Sequence, residues 1–216
     1  MDIELRKKRA AIIVKTLKKL FPTIQPSLQF STPFEFLVAV ILSAQCTDAR
    51  VNMVTKNLFK RYRSVQDFVH ANQLEFEQDI RSTGFYRNKA KNILATAKII
   101  HETYHDKVPQ TMKEMLELPG VARKTANVVL GYEFGIVEGV AVDTHVLRLS
   151  RLYGLTTEKN PDKIEQDLMK VLPKKEWVKF TMRMVEYGRK FCPAKKHDHT
   201  NCPISLALTN TIERLF

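Results

Sequence analysis

The sequence predicts an all-α protein, because of its apolar spacing, its few helix-breaking residues and its helix-start signals. Apolar side chains recur near the 3.6-residue period of an α-helix, first at Ala10, Ile13, Leu17 and Leu20. Seven glycines and nine prolines are few for 216 residues. With 44% hydrophobic residues, a chain of this length can bury an ordinary core, as one large domain or two small ones.

Capping signals set the helices of the first half of the chain. The first helix is expected over residues 3 to 20. Thr32, Pro33 and Glu35 supply an N-cap, a first-turn proline and a capping-box acid for a buried helix that runs to about residue 44. A further helix follows Asp48. Three more are predicted at residues 64–71, 73–81 and 86–104.

The second half of the chain carries similar signals. Thr111 and Glu114 form another capping box before a short helix that stops at the Leu-Pro-Gly of residues 118 to 120. A helix over 123–134 follows, and Asp143 precedes one that ends near Gly154. The last two predicted helices cover residues 161–172 and 175–190.

Composition narrows the class of partner and the cellular compartment. A net charge of +12 favours an acidic partner, and a nucleic acid is the usual one. Three widely spread cysteines argue against a disulfide framework and fit a reducing compartment. No apolar run is long enough for a spanning helix, and the N-terminus lacks a secretory apolar region. We therefore expect a cytoplasmic protein with no membrane partner.

A tight turn between two helices is the most informative local feature. Its second helix begins at Arg123 with backbone N–H groups that lack partners within the helix, and these donors suit a phosphate. Arg123 and Lys124 add positive charge at the same place. The alternative is an ordinary helix pair joined by a Pro-Gly turn, which is common in α proteins.

Several motifs together resemble a known family. The hairpin "LPGVARKTANVVL" is followed by "VDTHVLRL", and this pair resembles the helix-hairpin-helix DNA glycosylase superfamily, in particular its endonuclease III branch. The segments "STPFEFLVAVILSAQCTD", "TGFYRNKAKNI" and "EYGRKFC" stand in the same order as the matching segments of that family. The similarity therefore runs through most of the chain.

This resemblance implies a fold and an activity. Two all-α domains would flank an active-site cleft, with residues 26–136 forming a six-helix barrel and residues 1–25 plus 137–216 the second domain. The activity would be that of a bifunctional DNA glycosylase and abasic-site lyase of base excision repair. Such an enzyme flips a damaged pyrimidine out of double-stranded DNA, cuts its glycosidic bond and breaks the strand by β-elimination. We expect a monomer that acts in the cytoplasm on the nucleoid.

Two residues carry the chemistry that the resemblance implies. Lys124 would be the nucleophile that forms a Schiff base with the sugar, and it must attack as the neutral amine. Asp143 would activate Lys124 and stabilise the cationic sugar. Asp143 also has an ordinary structural interpretation, because an aspartate in this position is a common helix N-cap.

Further positions are implied to contact DNA. Gln45 would fill the gap left by the flipped nucleotide, although it could simply end a helix. Phe85 would wedge between bases, although it could equally belong to the core. Arg87, Lys89 and Lys91 are expected to contact phosphate, and His145 has a supporting role. The remaining expected contacts are Gly120, Ala122, Arg123, Lys195 and Lys196.

The hairpin departs from the family at one position. Ala122 stands where the family has its second glycine, so the backbone lacks glycine's freedom at positive φ. We therefore expect a weaker or shifted phosphate contact at this turn.

The C-terminal stretch "CPAKKHDHTNCPISLAL" departs further. The family holds a 4Fe-4S cluster on C-x6-C-x2-C-x5-C, and this spacing falls here on Cys192, His199, Cys202 and Leu208. Leucine cannot bind iron, and such a cluster normally takes four thiolates. We therefore expect no metal and no cofactor. The alternative is zinc on Cys192, on His197 or His199, and on Cys202.

Two other functions stay open. One is a mismatch-specific glycosylase of the same superfamily, which would remove uracil, thymine or adenine; Lys124 argues against it, because such enzymes generally lack this lysine. The other is a DNA-binding protein that has lost catalysis together with the cluster. The presence of Lys124, Asp143 and Gln45 together disfavours that interpretation.

Overall fold

The structure is a computed structural model that describes residues 2 to 212, and over this range it is all-helical, as predicted. The α-helices in chain order are α1 (Ile3–Leu20), α2 (Pro33–Leu42), α3 (Asp48–Arg61), α4 (Val65–Val69), α5 (Gln73–Asp79), α6 (Tyr86–Tyr104), α7 (Met112–Glu117), α8 (Arg123–Glu133), α9 (Thr144–Leu152), α10 (Pro161–Val171), α11 (Trp177–Lys190) and α12 (Pro203–Ile212). None of these helices is long and apolar enough to cross a membrane.

The chain divides into two compact units. One is the continuous stretch Pro26–Ile136, and the other combines Met1–Gln25 with Val137–Phe216. Within Pro26–Ile136, all of whose residues are described, there are seven α-helices and a short 3₁₀ turn at Arg81–Thr83. We call this stretch the central unit and the other the terminal unit.

The central unit is built around α2, a helix that is apolar on nearly every side. Phe36, Leu37, Val38 and Ala39 are each at most 1% exposed, which explains why this segment lacks the polar face of a surface helix. Aromatic rings pack beside it, with Phe34 in edge-to-face contact with Phe68 at 5.1 Å between ring centres. Burying side chains of this size stabilises a fold by about 1.5–3 kcal/mol each.

The terminal unit joins segments that are distant in the sequence. Helix α1 packs on α11 and α12, and α9 packs on α11. A buried ion pair reinforces the junction: Arg183 Nη1 lies 3.2 Å from Glu176 Oε2, while Lys18 Nζ lies 2.6 Å from Glu176 Oε1. Arg183 Nε also donates to the carbonyl oxygen of Phe21, so the end of α1 is fixed against α11.

The helix ends show which capping signals were read correctly. Thr32 Oγ1 accepts from Glu35 N, as expected, but the Glu35 carboxylate accepts from Ser31 N, one residue before the cap. A complete capping box lies instead at Ser64 and Asp67, and the backbone N–H groups of Arg63 and Ser64 lower the pKa of Asp67. This box was not predicted, because its acid is aspartate and the usual signal is glutamate or glutamine.

The last helix was not predicted. No helix was expected after residue 190, whereas α12 begins with Pro203 at its first position. Ile204 and Leu208 of α12 are buried in the core of the terminal unit, at 0% and 8% exposed. Proline at the start and these two apolar residues four apart were the available signal.

Candidate functional site

The turn between α7 and α8 is closed and anchored. Val121 N donates to the carbonyl oxygen of Leu118 at 3.1 Å, and Thr96 Oγ1 on α6 donates to the carbonyl oxygen of Pro119 at 2.9 Å. Gly120 has φ +77°, and a Cβ there would stand 2.9 Å from Asn92 Cβ. Glycine is therefore required at residue 120 both by its backbone conformation and by the space available.

Ala122 places no strain on this turn. It is the N-cap of α8 with φ −89° and ψ 169°, which is extended backbone open to any residue. The expectation that Ala122 weakens the phosphate contact for want of positive φ is therefore not supported. Its methyl side chain also has no acceptor for the first N–H groups of α8, so an anion can take that place.

Lys124 lies in the first turn of α8 with its side chain exposed. Ala126, Val129 and Leu130 on the same helix are 0% exposed, and α8 packs on α2. Helix α8 is thus held by its buried face, while its first turn presents Arg123 and Lys124, both exposed.

Gln45 and Phe85 share a rare backbone conformation. Gln45 has φ +52° and Phe85 has φ +48°, in the left-handed region that residues other than glycine seldom adopt. Both side chains are exposed, and Phe85 keeps 67% of its surface accessible. The core interpretation of Phe85 is therefore wrong. Strained residues of this kind often lie at functional sites, where the surrounding structure holds them in place.

Lys89 corrects one expected DNA contact. Its side chain is only 5% exposed, and Nζ donates to the carbonyl oxygens of Leu42 and Thr83, each at 2.8 Å. Burial lowers the pKa of Lys89. In this arrangement the ammonium group is used inside the fold and does not reach a phosphate. Arg87 and Lys91, by contrast, are exposed on α6.

Asp143 belongs to the terminal unit and is the N-cap of α9. Its Oδ1 accepts from Val146 N at 2.8 Å, so the capping interpretation is correct in geometry. Thr181 on α11 donates to the carbonyl oxygen of Ala141, which fixes the segment leading into Asp143. Capping uses only Oδ1, so the other carboxylate oxygen, Oδ2, can take part in chemistry while Asp143 caps the helix.

His145 is half-buried beside Asp143 on α9. Burial lowers the pKa of its imidazole, and no hydrogen-bond partner for Nδ1 lies within residues 2 to 212. The ring occupies the space that a side chain at Gly188 of α11 would need, since a Cβ there would stand 2.3 Å from Nδ1. His145 is thus a packed histidine next to the candidate catalytic aspartate, and its burial disfavours the charged form.

The loop between α11 and α12 gathers four metal-binding side chains. The donor atoms of Cys192, His197, His199 and Cys202 all lie within 4.8 Å of one another. The expectation of no metal is therefore not supported: this group can hold a metal ion. The three-ligand alternative was incomplete, because His197 and His199 both join the two cysteines.

Three predicted positions near this loop have other placements. Lys195 and Lys196 are exposed. Leu208, at the family's fourth ligand position, is buried in the core formed by the terminal unit. The surroundings of Cys192 were not predicted: Arg148 Nη2 donates to the Cys192 carbonyl oxygen at 2.6 Å, and Tyr153 Oη lies 3.5 Å from Cys192 Sγ. No sequence spacing links residues so far apart.

Known proteins resemble the chain over most of its length. Residues 38–174 match the family model described as "HhH-GPD superfamily base excision DNA repair protein". Endonuclease III of Synechocystis sp. is 52% identical over 191 residues, which are 88% of this chain and 87% of that protein. Endonuclease III of Bacillus subtilis is 46% identical over 186 residues, or 86% of this chain and 84% of that protein.

A solved structure agrees with these relatives. It is described as "Structure of a non-covalent Endonuclease III-DNA Complex" and is 42% identical, with a TM-score of 0.88 over 97% of this chain and 98% of that one. A thermostable thymine-DNA glycosylase shares the fold at a TM-score of 0.78, over 94% of both chains and with 21% identity.

Proposed function

The chain belongs to the HhH-GPD superfamily of base excision DNA repair proteins, in its endonuclease III branch, and on this premise we propose how its residues perform the reaction. Like its relatives in this branch, it is a bifunctional glycosylase and abasic-site lyase. The observation that carries the proposal is the exposed Lys124 in the first turn of α8, next to the closed hairpin turn.

Lys124 is the nucleophile of the proposed reaction. Its neutral amine attacks the anomeric carbon of the damaged nucleotide, and the glycosidic bond breaks with its electron pair leaving on the base. The sugar ring opens to a Schiff base between Nζ and that carbon. Loss of a proton from the neighbouring carbon then expels the 3′ phosphate by β-elimination, and water releases the lysine.

Asp143 supports both steps. Its carboxylate takes the proton from the lysine ammonium and stabilises the positive charge that develops on the sugar. The cap on α9 holds the carboxylate in place through Oδ1. Because the Lys124 amine is exposed in this structure, DNA itself supplies the exclusion of water that the attack requires.

The central unit carries most of the proposed DNA contacts. The N–H groups at the start of α8 bind one phosphate, with Gly120 letting the backbone approach and Arg123 adding charge. Gln45 fills the gap left by the flipped nucleotide, and Phe85 wedges between bases. Arg87 lies exposed near Phe85, and Lys195 and Lys196 lie exposed on the C-terminal loop, so each can contribute a salt-dependent phosphate contact.

The substrate we propose is double-stranded DNA that contains an oxidised pyrimidine or an abasic site. The endonuclease III of one similar solved structure is in complex with DNA, which supports this partner. Flipping and cleavage involve one chain and one lesion, so we propose a monomer. We also propose that the protein acts in the cytoplasm, at the nucleoid, because its proposed substrate is chromosomal DNA.

Borohydride trapping tests the proposal. Reduction of the Schiff base should join the protein covalently to duplex DNA bearing thymine glycol or an abasic site, and Lys124→Ala should abolish the adduct. Lys113→Ala is the matched control, because Lys113 is an exposed lysine on the neighbouring helix α7. It should leave trapping unchanged.

The same assay separates the alternatives. Base release without an adduct would indicate a monofunctional glycosylase. Undiminished binding of the lesion with neither base release nor adduct would indicate a DNA-binding protein without catalysis. An adduct that survives Lys124→Ala would assign the nucleophile to another residue.

A further inference from the structure

The four donors at the end of α11 form two close cysteine–histidine contacts. Cys192 Sγ lies 3.3 Å from His199 Nδ1, and Cys202 Sγ lies 3.3 Å from His197 Nε2. The two imidazole rings also adjoin each other, with 4.1 Å between their centres. Both cysteines are buried, at 0% and 3% exposed. The loop therefore brings two sulfur and two nitrogen donors around one point.

His197 is oriented for binding through Nε2. Its Nδ1 lies 2.8 Å from the carbonyl oxygen of Lys195, and a carbonyl can only accept, so Nδ1 carries the proton. The other nitrogen, Nε2, then has a free electron pair aimed at the group. A backbone carbonyl that fixes the tautomer in this way is the usual support of a metal-bound histidine.

Cys192 has hydrogen-bond donors that come from outside the four-residue group. Tyr153 Oη lies 3.5 Å from Sγ, and Arg148 Nη1 lies 3.8 Å from it. Tyr153 Oη also contacts Tyr187 Oη at 3.1 Å, and Tyr187 Oη accepts from Ile204 N at the start of α12. Hydrogen bonds to a sulfur from outside the donor set stabilise the charge of a bound thiolate.

Two separate S–H···N hydrogen bonds would explain the two close contacts but not the convergence of all four atoms. Around a single tetrahedral zinc ion, sulfur and nitrogen donors lie about 3.5 Å apart, close to the observed contacts. All pairs of donor atoms lie within 4.8 Å of one another, so the four are close enough together to share one ion.

We propose that Cys192, His197, His199 and Cys202 bind one tetrahedral zinc ion in place of an iron–sulfur cluster. A four-iron cluster takes a ligand on each iron around the outside of a cube, usually a thiolate, which separates the ligands widely. A two-iron cluster with two histidines keeps them on one iron and the cysteines on the other. Here each sulfur instead contacts an imidazole, and two thiolates with two imidazoles are a common zinc set.

The ion would join two helices of the terminal unit. Cys192 follows α11, Cys202 precedes α12, and both helices pack on α1. A metal that closes this loop stabilises the folded state, because the unfolded chain has no preformed site. The site is independent of the lysine chemistry, so failure of either proposal leaves the other standing.

Metal analysis of the purified full-length protein tests the site. We expect about one zinc per chain, no acid-labile sulfide and no visible iron–sulfur absorption. After exchange for cobalt, the visible spectrum should show the strong bands of a tetrahedral ion with thiolate ligands. Near-stoichiometric iron with sulfide would overturn the proposal in favour of a cluster. If the protein takes up no metal from a zinc solution, the proposal is wrong, and the four side chains only form hydrogen bonds with one another.

Variants assign the ligands. Cys202→Ser and His197→Gln should each lose most of the bound zinc, and thermal unfolding should occur at lower temperature. Cys46→Ser and His101→Gln are matched controls outside the group, and both should still bind about one zinc per chain. Circular dichroism at low temperature shows whether each variant is folded. Where Cys202→Ser is unfolded, the cobalt spectrum of His197→Gln decides, and an unchanged spectrum would remove His197 from the site.

Discussion

Lys89 Nζ lies 2.8 Å from the carbonyl oxygen of Leu42, a residue 47 positions earlier in the chain. A second bond of the same ammonium group reaches the carbonyl oxygen of Thr83. Leu42 ends α2 three residues before Gln45, and Thr83 stands two residues before Phe85. The buried Lys89 side chain thus fixes the backbone just before Gln45 and just before Phe85, the two exposed residues with left-handed backbone conformation.

Replacement of Lys89 by methionine should destabilise the protein. Methionine fills the space but leaves the carbonyl oxygens of Leu42 and Thr83 without their donor, and bonds to a charged donor are worth about 1.5–3 kcal/mol. We expect the free energy of unfolding to fall by about 2–4 kcal/mol in urea titrations. Lys91→Met, on the exposed face of α6, should change it by less than about 0.5 kcal/mol. Equal effects of the two variants would contradict this structural role.

Lys89 should also make stability depend on pH at the alkaline end. Burial lowers its pKa from the ordinary 10.5, so the unfolded chain holds this proton more tightly than the folded one. By linkage, the free energy of unfolding therefore rises with pH between the lowered pKa and 10.5. Subtracting the pH dependence of Lys89→Met should isolate this rise. A fall across that window would mean that the carbonyl bonds outweigh burial.

Substitution of Asp143 by asparagine separates capping from catalysis. Asparagine caps helices about as well as aspartate, so the free energy of unfolding should change by no more than about 0.5 kcal/mol. Loss of the carboxylate should lower single-turnover base release by about 100-fold or more. Retained turnover together with retained stability would leave Asp143 as a cap only. Asp143→Ala gives the comparison, since it should also lose about 1 kcal/mol of stability.

Replacement of Phe85 by glycine tests the exposed, strained position. Glycine adopts φ +48° without penalty, so the variant should be as stable as the parent or more stable by about 1 kcal/mol. A core phenylalanine would instead lose about 3–5 kcal/mol on truncation. We expect weaker binding of lesion-containing duplex, measured by fluorescence anisotropy, with the abasic single strand less affected. A strong loss of stability would show that Phe85 packs inside the protein.

Gly188→Ala should push against the ring of His145. Alanine normally improves a helix by about 1 kcal/mol over glycine, but here its Cβ would stand 2.3 Å from Nδ1. We expect a net loss of about 1–3 kcal/mol in thermal or urea unfolding, the usual effect of overpacking. In a protein that already carries His145→Ala the ring is absent, so adding Gly188→Ala should lower the free energy of unfolding much less than it does in the parent. An equal loss in both backgrounds would contradict the contact.

The helical fold was predictable because its signals are local. The side chains of Thr32, Thr111 and Asp143 each accept a hydrogen bond from a first-turn backbone N–H, as predicted. A few consecutive residues are therefore enough to predict where these helices begin. The predicted end of α2 was two residues late, because it stops at Leu42 while apolar and small residues continue. Helix ends depend on tertiary bonds such as that from Lys89, which no local pattern contains.

The position of a site residue was predictable only where a motif fixes it. Lys124 and Gly120 stand in the hairpin sequence, and the structure places them in the first turn of α8 and in the closed turn before it, while their roles with DNA stay predictions. Lys89 has the same spacing and charge as a surface lysine, yet folding buries it. The convergence of His197 and His199 with two cysteines depends on how the loop between α11 and α12 closes, and ligand spacing alone predicted no metal.

The division of the chain has a consequence for synthesis on the ribosome. The central unit is one continuous stretch, so it can fold as soon as residue 136 has emerged. Helix α1 emerges before the central unit but packs on α10, α11 and α12, the first of which begins only at Pro161. Its apolar face, with Ile13 and Leu17, therefore stays uncovered until those helices have emerged. Before that, the four lysines at positions 8, 15, 18 and 19 keep α1 strongly hydrated.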